Sequence, residues 1–550
     1  MKWVVRSLGV RSLGVRSLGV RVLECWSIGV LASTVCAQGP IKLTSDLDLG
    51  WSNWGLSGNR NKFREYGTAP QGFFLDHLSL RLTDETRNDA RFVLKAPGQD
   101  DYRLGGLIRL NAGTTKIATS DFRNRFSDPD PVVTNRSERR VTAGYLWQKL
   151  TPDFAVSAQT RLDDQKLNIA EPSDALNQTT RTSNVSGRGS LWPNGFVDIS
   201  YLDSRYADRT GGLPDTTTQT LSAGLMQQFG DRLALTGTYS HSLIRQPRAA
   251  TDKVDEYGIS GSLLLGDDTH FLLSYRNERL TMPTVVWAYD RGRQQARARI
   301  VHRLGMGWTA QVGYNQLALE RLTDDHTFVD VPRLHTFDFQ LNGRFSRSAR
   351  MSARLARQTM QGGAQMQILD PRALYWTSRW DGRIKLDAFN ERANTYLVFD
   401  WHEKRNSARD VAIRHQGLTI GAEWTLKPEI EFYSEVSTDT WGGHTSDPLS
   451  PDLNGFFPNA TTFTVGSNWT IDEKTSATAN YSFFNSQNAN PLNLPGTSVW
   501  GSFFTGTLHY KASSRLEFGI TIAPWQFADL GATQMGYGAG IVRIEAKAKY

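Results

Sequence analysis

Apolar and polar residues alternate one for one along most of this chain. Near its start Ile41, Leu43, Leu47, Leu49 and Trp51 share one parity, and Lys42, Thr44, Asp46 and Asp48 share the other. At its end Val542, Ile544, Ala546, Ala548 and Tyr550 alternate with Arg543, Glu545, Lys547 and Lys549. Successive side chains of a strand point to opposite faces. A soluble core would not accept four charges on its inner side, but a strand between lipid and a watery lumen does. The pattern recurs in Leu233-Leu235-Tyr239, Tyr257-Ile259-Leu263-Leu265, Trp308-Ala310-Val312-Tyr314 and Leu418-Ile420-Ala422-Trp424. It predicts an all-β fold, a transmembrane antiparallel β-barrel in the outer membrane of a Gram-negative bacterium.

The connections alternate between short and long. Pro193-Asn194, Gly230-Asp231, Gly266-Asp267-Asp268, Lys427-Pro428, Asp472-Glu473 and Ser513-Ser514 are short, whereas 164–180, 243–254 and 439–459 are long and polar. Outer-membrane barrels have short periplasmic turns and longer outside loops. Counting back from a last strand that runs down to the periplasm, the strand near 140–149 also runs down, and the first, 41–53, runs up. Parity then demands an upward strand between 112 and 123, where alternation is weak. The count is about 26 strands (24–28). At a strand spacing of ~4.8 Å and a tilt of ~40°, that gives a backbone diameter of about 50 Å, which wall side chains cannot fill.

Composition agrees. Aromatic residues make up 11% of the chain while the mean hydropathy is only −0.43, and no mature stretch has the roughly 18 apolar residues of a spanning helix. Trp147, Trp308, Trp376, Trp401, Trp424, Trp469 and Trp500 are read as lipid-face or girdle anchors. Residues 1–37 read as a secretory signal. Lys2, Arg6, Arg11, Arg16 and Arg21 form the basic region, Cys25 to Val35 the apolar one, and Val35-Cys36-Ala37 the cleavage site. Residues 38–550 are then one barrel domain, starting too close to its first strand for a preceding plug. Both cysteines fall in the signal, so the mature chain is expected to hold no disulfide and no covalent haem. Without the signal, 57 basic side chains face 54 acidic ones, and nucleic-acid binding loses its main support.

Lys62-Phe63-Arg64-Glu65-Tyr66, in the first outside loop, is followed by Gln71-Gly72-Phe73-Phe74-Leu75, Leu78-Ser79-Leu80-Arg81-Leu82, Arg91-Phe92-Val93-Leu94 and Tyr102-Arg103-Leu104. Over about 41–111 this series resembles the start of the MtrB/PioB family, decahaem-associated outer-membrane β-barrel porins. The resemblance implies a sheath that houses a periplasmic multihaem c-type cytochrome and lets electrons cross the outer membrane, with haem c on the partner and none on this chain. Some members contact a further cytochrome outside. Certain members carry a Cys-x-x-Cys near the mature N-terminus, which this chain lacks. The other class of function is a general diffusion porin for small polar or anionic solutes.

Candidate chemistry concentrates on the lumen face. Arg293, Arg297, Arg299 and Arg303 share one parity opposite Ala296, Ala298 and Ile300; Asp338, Gln340, Asn342 and Arg344, then Arg350, Ser352 and Arg354, follow. Over 372–387, Tyr375, Arg379, Asp381, Arg383 and Lys385 are expected to face in, and Trp376, Trp380, Ile384 and Leu386 out. Such a wall can pair with carboxylates or haem propionates of an inserted protein; the plainer reading is a ladder of cross-strand pairs. His77, His302 and His335 are scattered singles, so no metal site is expected. No P-loop, nucleophile elbow or paired catalytic carboxylates appear, and no enzyme is read here. The aromatic end of the last strand, Tyr550, resembles the signal read by the outer-membrane assembly machinery.

Overall fold

The computed structural model describes residues 42–550 except 61, 64–70, 86–87, 96–101, 111–113, 128–135, 169–175, 212, 248–250, 282–289, 323–328, 331, 363–375, 408–409, 447–456, 490–497 and 531–535. The expected signal, with Cys25 and Cys36, lies outside the described residues, as do Arg64, Glu65, Tyr66 and Tyr375.

Among the described residues, twenty-six strands of 7 to 17 residues form one closed antiparallel barrel. A two-residue rung, Val329–Asp330, extends one hairpin by pairing with Arg321 and Leu322. The first strand, Lys42–Gly58, pairs with Gly72–Thr83 on one side and with the last, Tyr537–Lys549, on the other. Ser45 and Tyr550 exchange backbone hydrogen bonds of 2.8 Å in both directions, which locks the seam beside the terminal aromatic residue. Closure leaves no open edge, as hydrocarbon requires. No described helix is long and apolar enough to cross a membrane; a barrel crosses with strands.

The strand demanded by parity is present as Thr115–Ser127, paired with Tyr102–Leu110 and Arg136–Thr151. Strands also run further than the alternation suggested. Phe154–Asn168, Leu176–Trp192, Leu233–Arg245 and Ile430–Thr445 reach into segments read as loop. A ladder satisfies the backbone whatever the side chains are, so polar sequence continues it above the bilayer; a tilted strand needs only about 9–11 residues to span. At the opposite end the connections are tight, and Asn194, Gly230 and Gly266 take positive φ of 60°, 58° and 69° there.

Register carries one parity round the whole ring. Trp51 pairs with Ile544, Ile544 with Ile520, and Ile520 with Leu508. These residues, with Val542, Val185 and Leu221, form the outward face, and Val542, Ile544, Val185 and Leu221 are all exposed. Trp308, Trp424 and Trp469 lie on it close to the tight turns, and Trp401 and Trp500 nearer the long loops. Two anchors read from sequence are corrected. Trp147 is on the inner face, where the Lys116 ammonium sits 4.6 Å from its ring, while its neighbour Leu146 pairs outward with Ile117. Trp376 precedes its strand, Ser378–Phe389, so alternation does not assign it to the lipid face, and its ring lies 5.9 Å from the Lys404 ammonium. An aromatic residue alone does not fix its parity; its strand neighbours do.

On the inner face, rings lie over glycines of the neighbouring strand. Tyr396 faces Gly421 and Tyr433 faces Gly466, each ring filling the space a Cβ would take. Tyr396 also donates a hydrogen bond to Glu435. This pairing pins register where a polar face alone specifies it weakly.

Candidate functional site: the lumen wall

All nine arginines named from the sequence lie on strands and face the lumen. Arg293, Arg297, Arg299 and Arg303 project from Asp290–Gly305, with Ala296, Ala298 and Ile300 outward. Arg344 projects from Arg333–Ser346, Arg350 and Arg354 from Ala349–Gln361, and Arg379 and Arg383 from Ser378–Phe389. Trp380, Ile384 and Leu386 point outward, as read.

Four of the nine are held by the wall. Arg297 Nε donates to Asn315 Oδ1 at 3.1 Å. Arg350 meets Asp387 at 3.3 Å and lies 5.3 Å from the Phe389 ring. Arg379 meets Asp381 at 2.5 Å, and Arg383 meets Asp400 at 3.6 Å. For these the ladder reading fits. Arg293, Arg299, Arg303, Arg344 and Arg354 differ: all are exposed to the lumen, and no described carboxylate lies within ion-pair distance of them. Register also sets Arg344 directly opposite Arg350, and Arg354 opposite Arg383. Like charges directly opposite each other destabilise a sheet, and in each of these pairs only one member, Arg350 or Arg383, has a wall carboxylate beside it.

The charge is unevenly spread. On the strands just beyond the cationic sector, Asp400, Glu423, Glu431, Glu435 and Asp439 share the inner face. On Thr216–Phe229 and Leu233–Arg245 that face is neutral, and Thr220 and Ser242 share a hydrogen bond of 2.8 Å.

Sequence reasoning missed two inner-face features. His402 and His415 are direct cross-strand partners, with ring centroids 5.4 Å apart and planes within 13°. His402 Nδ1 is 2.7 Å from Asp381 and His415 Nε2 is 2.8 Å from Asp439, while Trp441 covers His415 at 4.2 Å. The pair was legible as two residues equidistant from the midpoint of Asn406 and Val411, which pair at the end of the hairpin, a register argument rather than a motif. Among the described residues no group of three or more metal-ligating side chains comes together.

The second feature involves Phe63. It was placed in an outside loop, but it is 1% exposed and packs on the inner wall. Asn59 caps the start of a helical segment, its Oδ1 accepting from the Lys62 N–H at 2.9 Å, and Asn59 N donates to Gly536 O at 2.9 Å. That segment drives Phe63 between Trp54, Trp525 and Tyr537, at centroid distances of 5.4, 6.0 and 5.5 Å. Ala523, Phe527, Ala539 and Ile541 complete the cluster. The upper inner face is apolar here because this segment covers it. Lys62 extends its ammonium over the Phe527 ring at 5.1 Å.

No protein-family model matches the chain, and a search of curated proteins returns no match. Solved structures do match in architecture. The FrpB iron transporter from Neisseria meningitidis aligns with TM-scores of 0.53 for its F5-1 variant and 0.52 for its F3-3 variant, at 8% and 9% identity. Those alignments cover 94% and 95% of this chain and 84% and 83% of the transporter. The siderophore receptor PirA from Acinetobacter baumannii aligns with a TM-score of 0.50 and 9% identity over 93% of this chain and 81% of the receptor. At such identities the likeness is one of fold: this chain is a large β-barrel of the outer-membrane type.

Proposed function

We propose that this barrel is the sheath of a porin-cytochrome complex, an insulating wall around an inserted periplasmic multihaem c-type cytochrome. One observation carries the reading: inner-face arginines that no described wall carboxylate neutralises, two of them set directly opposite other arginines, line a lumen far wider than a small solute needs. An inserted protein with carboxylates or haem propionates at its surface satisfies such a wall through many modest contacts, each charge-assisted. The stretch from 41 to 111 that resembles the MtrB/PioB family points the same way. The haem then belongs to the partner, and the barrel supplies insulation and position.

The test is to purify the barrel from its native membrane in mild detergent and stain for covalent haem. A stoichiometric haem-bearing partner is expected. The Arg297→Glu, Arg299→Glu, Arg350→Glu, Arg354→Glu quadruple variant should lose it, while single changes have small effects. The same cationic sector also favours a second reading, an open porin for anionic solutes. Haem-free barrels with large single-channel conductance, and unimpaired electron transfer in cells lacking the protein, would make the porin the better account.

A further inference from the structure

A second cationic row lies on the outside of the barrel, where no partner in the lumen can reach it. Register sets Arg181 opposite Arg205, Arg205 opposite Thr217, and Thr217 opposite Arg245. The row crosses four adjacent strands, about 14 Å, at the long-loop end. Four residues closer to the tight turns, the same face carries Val185, Tyr201 and Leu221, which are directly paired in turn and exposed. The guanidinium row therefore stands just above the apolar band that meets lipid.

Neighbouring outer-face arginines are neutralised by the wall. Arg140 makes two hydrogen bonds of 3.0 Å to Asp121, and Arg123 meets Glu138 at 2.7 Å. The Arg181 row is neutralised only in part. Arg205 meets Asp203 at 3.0 Å yet stays 64% exposed. Arg181 and Arg245 are exposed, with no described carboxylate within ion-pair distance. Arg181 and Arg205 are also like charges in direct opposition, a repulsion that the one carboxylate beside them, Asp203 on Arg205, offsets only in part.

We propose that Arg181, Arg205 and Arg245 bind an outer-leaflet lipid whose headgroup carries more than one phosphate, with its acyl chains against Val185, Tyr201 and Leu221. The occupant is a lipid because the row shares its face with the lipid-contacting residues. Four residues along a tilted strand rise about 10 Å. The headgroup layer adds about 5–8 Å beyond the hydrocarbon of each leaflet, and an arginine side chain spans the difference by reaching down along the wall. Guanidinium groups hold phosphate oxygens two at a time, and a row of three suits a headgroup with several phosphates better than a singly charged phospholipid.

The test uses the full barrel in nanodiscs of phosphatidylcholine doped with lipopolysaccharide or, separately, phosphatidylglycerol, followed by transfer to mild detergent and native mass spectrometry of the lipid retained. The wild type should keep about one lipopolysaccharide per barrel. The Arg181→Gln, Arg205→Gln, Arg245→Gln variant should keep at least tenfold less, and the corresponding triple lysine variant an intermediate amount. Heat-modifiable migration on gels confirms that each variant is folded. Equal retention by wild type and glutamine variant overturns the proposal. So does equal retention of phosphatidylglycerol, or displacement of the lipid by millimolar inorganic phosphate, which would make the row a simple anion site.

Discussion

Replacing Phe63 by alanine should release the segment around Lys62 and Phe63 from the wall while leaving the barrel closed. The ring is almost wholly buried among Trp54, Trp525 and Tyr537. Burying an aromatic side chain removes about 150–250 Å² from water, which at about 25 cal/mol per Å² is worth roughly 4–6 kcal/mol. Measured Phe→Ala losses in cores run to about 3–5 kcal/mol. Because Phe63 lies outside the strands and meets the wall through that ring, the loss falls on local docking and not on the strand ladder. At about 1.4 kcal/mol per decade, docking weakens by roughly a hundredfold or more. Hydrogen exchange read by mass spectrometry reports it directly: the amides of Lys62 and Phe63, which donate within the turn to Asn59, should exchange at least a hundredfold faster, with strand amides unchanged. Unaltered exchange at 62–63 would refute the view that this ring holds the segment.

The two faces of the last strand should respond differently to substitution. Val542→Arg or Ile544→Arg puts charge on the lipid face and should cost about 2–4 kcal/mol near the midplane, whereas Lys547→Gln on the lumen face should cost little; equal losses in a refolding titration would reverse the assignment of faces. Gly466→Val places side-chain atoms where the Tyr433 ring lies, and this overpacking should destabilise the barrel by about 1–3 kcal/mol, seen as a lower temperature for the heat-modifiable gel transition. The Asp472 carboxyl, in the tight turn before Thr475–Ala489, is held below its ordinary value first by the Lys474 backbone N–H and then by that of Thr475. A depressed carboxylate supports its turn above the unfolded value near 4 and loses that support as pH falls through its own lower value. Exchange of the Lys474 and Thr475 amides should therefore accelerate only in acid, and Asp472→Asn should abolish that pH dependence.

Much of the architecture was legible because lipid imposes a strict parity. Leu418-Ile420-Ala422-Trp424 could be read outward without any neighbour, and the weak strand at Thr115–Ser127 followed from counting, since closure admits no unpaired step. What escaped were features decided by register and not by residue type. Trp147 looks like an anchor until Leu146 is seen to pair with Ile117. His402 and His415 are thirteen positions apart and meet only because of the register of their hairpin, in which Asn406 pairs with Val411. Phe63 stood out as part of a loop stretch, yet its burial depends on Trp54, Trp525 and Tyr537, which come from both ends of the chain. The nine arginines were placed on the correct face by alternation alone. Which of them the wall neutralises depended on cross-strand partners that no local pattern contains.

That difference allows a test on a single arginine. Arg354 faces Arg383 across one rung and Gln340 across the other, and no described carboxylate lies within ion-pair distance of it. If the wall were only a ladder of structural pairs, removing this charge should destabilise the barrel. If it is held ready for an anionic occupant, Arg354→Gln should relieve the repulsion and stabilise the empty barrel, by about 0.2–1 kcal/mol. It should also weaken retention of the occupant slightly and flatten the dependence of that retention on salt, because one exposed charge fewer is screened. Arg350→Gln is the control: its guanidinium meets Asp387, so its loss should leave that carboxylate less compensated and lower stability. The measurements are urea midpoints of the empty barrel and the haem-to-barrel ratio after washing at increasing ionic strength. Opposite signs of the two stability changes support a wall held at some cost for its partner; equal destabilisation by both variants would return the arginines to an ordinary cross-strand ladder.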